Sequence, residues 1–199
     1  MILRTSPASP FGRKVKIAAA VLGLSEGIEI VPADTTDPND DLRQQNPLGK
    51  LPVLITDEGM AIYDSAVIVA YLDHLAGGGK LIPAGTGRFQ VLVLEALADG
   101  LIDAAILQVY EGRFRTQDKR EPTWVDYQAQ KVTRALDRLE GQAGAIGDAL
   151  DAGTIALACA LGYLDFRFQG TWRSSYPGLV AWLDGFAARV PAFEKTRPS

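Results

Sequence analysis

Two hydrophobic periods divide the chain. In the first seventy-odd residues, short apolar runs alternate with amphipathic stretches, and beyond them only the helical period persists. Residues 1–5 form a brief apolar run suited to a strand. Ser9-Pro10 starts a helical pattern in which Phe11, Val15, Ala19 and Leu22 share a face, Ile17 and Val21 lie beside it, and Gly23 ends it. Residues 28–31 alternate as a strand, and residues 40–45 suit a short helix. Residues 52–56 read as a strand, Asp57-Glu58-Gly59 as a turn, and residues 60–63 as the hairpin partner. Ser65, as N-cap, then opens a helix with Ile68, Tyr71, Leu72 and Leu75 on one face. The order β-α-β-α-β-β-α, with the first unit parallel and the last pair antiparallel, predicts a small mixed sheet covered by helices.

The second half reads as nearly all helix. Residues 89–110 are apolar on most sides, as a central bundle helix should be. Residues 124–139 place Val125, Val132, Leu136 and Leu139 on one face. Ile155, Cys159, Gly162, Tyr163 and Phe166 line a further helix, and Tyr176-Pro177 opens another with Val180, Leu183 and Ala187 inward. Gly77-Gly78-Gly79, Pro83, Gly85 and Gly87 mark a linker between the halves. The predicted organisation is an α/β domain over residues 1–78, a linker over 79–87 and an all-α helical bundle over 88–199. The first domain carries the net charge of −4, and the remainder is neutral.

Composition narrows the chemistry. With 199 residues and 47% apolar content, the chain can bury a core without disulfide or metal staples. Its acidic balance lacks the basic footprint of nucleic-acid binding or of attraction to anionic membranes. The most apolar stretch, residues 91–106, is interrupted by Glu95, Asp99 and Asp103, so no membrane span is expected. No signal peptide is evident at the start, and a cytoplasmic location is the expectation. One cysteine, Cys159, and one histidine, His74, exclude an intrachain disulfide and a CxxC redox pair, and leave no ligands for a Cys/His zinc site. No metal is expected.

Three places carry candidate chemistry. Ser9-Pro10 places a capping hydroxyl at a helix N-terminus. Capping alone explains it, and the same geometry also stabilises an anion. Leu51-Pro52 leads into a strand. It is either an ordinary trans turn or a cis bond that turns the Leu51 N–H and C=O toward an extended peptide. Asp64-Ser65 sits at the next helix start, where an N-terminus can hold a carboxylate and an aspartate an ammonium. Lys50 is either a solvated lysine or a partner for a second carboxylate. Together these surround one cleft suited to a peptide-like thiol with an α-amino-acid end.

The stretches Ser6-Pro7-Ala8-Ser9-Pro10-Phe11-Gly12-Arg13-Lys14-Val15, Asn46-Pro47-Leu48-Gly49-Lys50-Leu51-Pro52-Val53-Leu54 and Tyr63-Asp64-Ser65-Ala66-Val67-Ile68 resemble the cytosolic-type glutathione S-transferases, in particular bacterial members with a serine-type active site. The resemblance continues through residues 95–100 and 156–167 and so spans both halves. It implies a thioredoxin-like N-terminal domain, an all-α C-terminal domain, glutathione as co-substrate and a homodimer. By resemblance, Ser9 faces the glutathione sulfur, Phe11 lies beside it, and Leu51, before a cis Pro52, meets the cysteinyl unit. Asp64 and Ser65 hold the γ-glutamyl end, Lys50 the glycine carboxylate, and Asp99 reaches the glutathione of the partner subunit. Ser6 is the rival to Ser9 for the thiol. Ala8, Phe11, Tyr110, Arg113, Phe114 and Phe166 are candidates for the electrophile pocket, and Arg13, Arg113 or Arg167 would favour an anionic electrophile.

Two positions depart from the family pattern. The usual Ser/Thr-x-x-Asp box is reversed here as Asp151-x-x-Thr154, which can still cap its helix. Serine instead of cysteine at position 9 disfavours disulfide exchange, and Cys159 reads as a core residue. The expected activity is attack of activated glutathione on a small electrophile, as in detoxification. The alternatives are a non-catalytic binding or interaction protein of the same fold and a glutathione-dependent isomerase or dehalogenase.

Overall fold

The computed structural model describes residues 1–198. Strand β1 (Ile2–Thr5) is followed by helix α1 (Pro10–Val21), β2 (Glu29–Pro32), the short α2 (Leu42–Gln45), β3 (Val53–Ile55), β4 (Ala61–Ile62) and α3 (Ser65–Leu75). The sheet order is β2-β1-β3-β4, with β1 parallel to β2 and the other two pairings antiparallel. The right-handed crossover habit of a β-α-β unit lays α1 on one face of this sheet. Helices α1 and α3 pack together over it, with Leu3, Val15, Ile17, Leu54, Ile68 and Leu72 fully buried between the layers.

The rest of the described chain holds α4 (Gly87–Phe114), α5 (Pro122–Glu140), the short α6 (Ala143–Ile146), α7 (Ala152–Phe168), α8 (Pro177–Arg189) and α9 (Pro191–Lys195). An N-terminal mixed sheet with helices and a C-terminal helical domain thus make up the fold. Helix α7 packs against both α4 and α1, so one hydrophobic core runs through both parts.

The central bundle helix is α7, not the 89–110 stretch. Residues 152–164 are buried without interruption. Helix α4 buries only one side and leaves Phe89 and Val93 two-thirds exposed. A helix apolar on most sides buries all of it only if neighbours surround it, and α4 lies at the surface of the single chain. Two smaller corrections follow the same logic. Leu75 stands at the solvent end of α3 and is exposed. Helix α8 buries Leu179, Trp182, Leu183 and Phe186, a face rotated from the expected Val180, Leu183 and Ala187.

Helix α7 starts with the reversed capping box intact. The Asp151 carboxylate accepts from the Thr154 N–H at 2.8 Å, and the Thr154 hydroxyl accepts from the Asp151 N–H at 3.0 Å. The glycine-rich segment after α3 is tied down by one side chain. Buried Asp73 accepts from the N–H groups of Gly79, Lys80 and Leu81. Among the described residues no helix is long and apolar enough to cross a membrane.

Candidate functional site

Ser9 is the N-cap of α1. Its Oγ accepts from the Gly12 N–H at 3.0 Å, and Pro10 occupies the first helical position. A hydroxyl has two acceptor lone pairs and one proton to donate. The Ser9 hydroxyl donates to no described residue, so its proton is available above the helix N-terminus. The cap therefore uses the acceptor side of this hydroxyl and leaves its donor side free. Ser6 lies in the preceding turn, where its carbonyl accepts from the Ser9 N–H. Gly12 has no room for a side chain. A Cβ there would stand 1.8 Å from the Thr5 Oγ1, so glycine lets α1 start directly against β1.

The Leu51–Pro52 peptide is cis, as is Tyr63–Asp64. The N–H and C=O of Leu51 have no backbone partner among the described residues. Lys50 is exposed at the rim, and its carbonyl is held by the Asn46 side chain at 3.0 Å. At α3 the cap differs from expectation. Asp64, not Ser65, is the N-cap, its carboxylate accepting from the Ala66 N–H at 3.0 Å. Ser65 is the first helical residue and is buried. The cap side chain must reach back over the first turn, and the extended backbone at Asp64 gives it that reach.

A buried charge cluster lies behind α1. Lys14 is fully buried and donates to Glu95 at 3.1 Å and to Asp99 at 2.7 Å. Two carboxylates share one ammonium. Burial pushes Asp99 up to about 6, against the pull of Lys14. Its Oδ1 is sealed from solvent and has no partner among the described residues. Sequence reasoning missed this cluster, because Lys14 lies two residues from Lys16 in α1 and nothing in its neighbours announces that it alone is fully buried.

Of the expected pocket residues, Ala8 lines one narrow cleft and Phe166 another cavity, while Phe11, Tyr110, Arg113 and Phe114 line neither. Ala8, Ser9 and Tyr163 line one cleft together with Cys159 and Pro198. Phe166 instead lines a second cavity of about 380 Å³ between α7, α8 and α9. Phe11 is half-buried against the main core. Tyr110 and Phe114 meet edge to face on the exposed end of α4, with the Arg113 guanidinium over the Phe114 ring. Arg13 is not free to meet a ligand. It is buried, donates to the Phe193 carbonyl at 2.6 Å and covers the Phe193 ring, anchoring α9 to α1. Burial pushes the Cys159 thiol up to about 12, so it stays protonated and unreactive. Tyr163, which lines the cleft, reads from the sequence as one core position among many. The helix around it is buried on every side, and no amphipathic face singles it out. Among the described residues no cluster of His, Cys, Asp and Glu could hold a metal.

Residues 3–80 match the family described as glutathione S-transferase, N-terminal domain, and residues 104–185 match glutathione S-transferase, C-terminal domain. The uncharacterized GST-like protein YibF of Escherichia coli is 35% identical, over 100% of this chain and 98% of its own length. A glutathione transferase family member from Pseudomonas fluorescens, solved with bound glutathione, is 39% identical with a TM-score of 0.93, covering 100% of this chain and 98% of that one. A glutathione S-transferase from Methylobacillus flagellatus, also with glutathione bound, is 36% identical with a TM-score of 0.92, covering 100% and 99%.

Proposed function

This chain belongs to the glutathione S-transferase family, and from that premise we propose that it binds glutathione and activates its thiol for attack on a small electrophile. The carrying observation is the Ser9 hydroxyl, which keeps a free proton at the N-terminus of α1. In this reading the thiol loses its proton to water and the thiolate accepts the Ser9 O–H. Its electron pair then forms the S–C bond while the leaving group departs with the bonding pair of the bond that breaks.

The energetics suffice without a general base. Lowering a thiol pKa by about 2 units requires about 2.7 kcal/mol. A helix N-terminus contributes up to ~2 kcal/mol and a hydrogen bond to a charged group ~1.5–3 kcal/mol. Ser9 is favoured over Ser6 because it alone of the two stands at the helix start. The unpaired backbone groups of Leu51 suit the cysteinyl unit of glutathione, Asp64 and Ser65 its γ-glutamyl end, and Lys50 its glycine carboxylate. Asp99, whose Oδ2 accepts from Lys14 and whose side chain keeps one-fifth of its surface exposed, is the candidate to reach the glutathione of a partner subunit.

The same reading divides the chain into a glutathione-binding domain over residues 1–78 and an electrophile-binding domain over 88–199. It places a detoxifying conjugation in the cytoplasm and makes the protein a homodimer. The exposed apolar side of α4 and Val67 of α3 support the dimer.

Calorimetry with reduced glutathione tests the proposal on wild type, Ser9→Ala and Ser65→Ala. Expected are binding by wild type, weakened binding by Ser65→Ala, and in Ser9→Ala a bound-thiol pKa raised by about one unit, read from thiolate absorbance. No binding by wild type at millimolar glutathione overturns it.

A further inference from the structure

The second cavity, of about 380 Å³ between α7, α8 and α9, has no part in the glutathione reading. Its volume falls among those of small-molecule sites, roughly 300–1,000 Å³. Phe166, Leu183, Ala187, Phe193 and Pro198 give it apolar walls. It shares only Arg13 and Pro198 with the cleft beside Ser9.

Three arginines line this cavity, and they differ in their partners. Arg173 donates to both oxygens of Asp165, at 2.9 and 2.6 Å, and Arg197 stands 3.0 Å from Glu194. Arg13 closes no ion pair among the described residues, although it is the most buried of the three, at 3% exposure. Its Nη2 donates to the Phe193 carbonyl at 2.6 Å, and its Nε donates to the Thr196 hydroxyl at 3.4 Å. Arg13 is thereby fixed in place and cannot travel to a ligand; a ligand in the cavity comes to it. Nη1 is left. It donates to no described residue and stands against Gly162, where a Cβ would lie 2.4 Å from it. Gly162 lines the same cavity, so the bare glycine lets this nitrogen stand at the cavity wall. A guanidinium does not shed its proton in a protein, and a buried charge without a counter-ion is costly.

We propose that this cavity is a second ligand site, which takes a small carboxylate with a flat apolar body. The carboxylate accepts from Nη1 and supplies the counter-ion that Arg13 lacks, and the body packs on the Phe166 and Phe193 walls. Asp165 and Glu194 are already answered by Arg173 and Arg197. Asp184 stands at the rim, 3.8 Å from Arg173 and two-thirds exposed, where water screens it from a bound anion.

Calorimetry on the full chain tests the site with 2-naphthoate and its neutral counterpart, 2-naphthamide. The two probes share the ring system and differ in charge. Wild type is expected to bind 2-naphthoate about tenfold more tightly than 2-naphthamide, as a hydrogen bond to a charged partner requires. In Arg13→Gln, which keeps a polar side chain and removes the cation, that preference is expected to vanish. Ala187→Trp fills the cavity from a half-buried position on α8 and leaves the Arg13 anchor of α9 untouched. It is expected to weaken both probes by about tenfold or more. Glutathione at saturation is expected to leave 2-naphthoate binding unchanged.

Three results overturn the proposal on wild type: no binding of 2-naphthoate at millimolar concentration, equal binding of the two probes, or displacement of 2-naphthoate by glutathione, which places it in the Ser9 cleft. An affinity for 2-naphthoate unchanged in Ala187→Trp overturns it as well, whatever Arg13→Gln does to the fold.

Discussion

At the residue scale, the least exchangeable position is Lys14. A fully buried ammonium is tolerated because Glu95 and Asp99 surround it. Lys14→Met leaves two carboxylates in a dry site, and removing one member of a buried ion pair typically costs about 3–5 kcal/mol. The loss is expected to be smaller near pH 5, where Asp99 takes up a proton, and urea unfolding at the two pH values checks this. Asp99 also has a signature of its own. Its folded pKa of about 6 lies above the ordinary 3.8, so between these values the native state binds more proton than the unfolded chain. Its contribution to stability therefore declines as pH rises from about 4 to about 6. Asp99→Asn is expected to flatten that part of the stability profile. A profile of the same slope in the variant contradicts the assignment. Gly12 is constrained by space. Gly12→Ala drives a methyl into Thr5 and is expected to cost about 1–3 kcal/mol by thermal unfolding, and to perturb the Ser9 cap one turn earlier.

Elements are decided by their ends. The helix starts at Ser9-Pro10 and Asp151-x-x-Thr154 were legible because capping is a local matter of a short polar side chain and the N–H groups within three residues. Asp151→Ala removes one half of the α7 box, and a loss of about 0.5–2 kcal/mol is expected in denaturant unfolding. Asp64 and Ser65 were both legible as a helix start, yet which of them caps depended on the backbone angles at Asp64. The phase of α8 was misjudged by one residue because Leu179, Trp182, Leu183 and Phe186 and the expected set both satisfy a helical period. Only the placement of α5, α6, α7 and α9 around α8 decides between them. The linker is a further case. Its glycines announce a turn-rich segment, while its anchoring by Asp73 is a contact six to eight residues away. Asp73→Ala removes three acceptor contacts at once and is expected to raise hydrogen exchange at Gly79, Lys80 and Leu81 before it affects the core.

Over the whole molecule, α7 joins the two halves by packing on α1 and α4, and Arg13 fastens the C-terminal α9 to the helix that carries Ser9. What remains unsatisfied is the outer side of α4, where Phe89 and Val93 stand two-thirds exposed. The proposed homodimer covers this side. Sedimentation of wild type is expected to give a dimer, and Phe89→Glu with Val93→Glu a monomer; an unchanged association state shows that another surface is used. The sequence by itself determined the two-part architecture, the strand and helix order and the helix starts at Ser9-Pro10 and Asp151-x-x-Thr154. These follow from periods of two and 3.6 and from capping within a few residues, which are properties of neighbouring positions. The tertiary structure alone decided that α7 is the central helix, that Lys14 is a buried cation, that Arg13 serves α9, and that Tyr163 lines the cleft beside Ser9. Each of these depends on residues more than fifty positions apart meeting in space, such as Lys14 with Glu95 and Arg13 with Phe193. Burial and charge pairing are set by that meeting, and no local pattern encodes it.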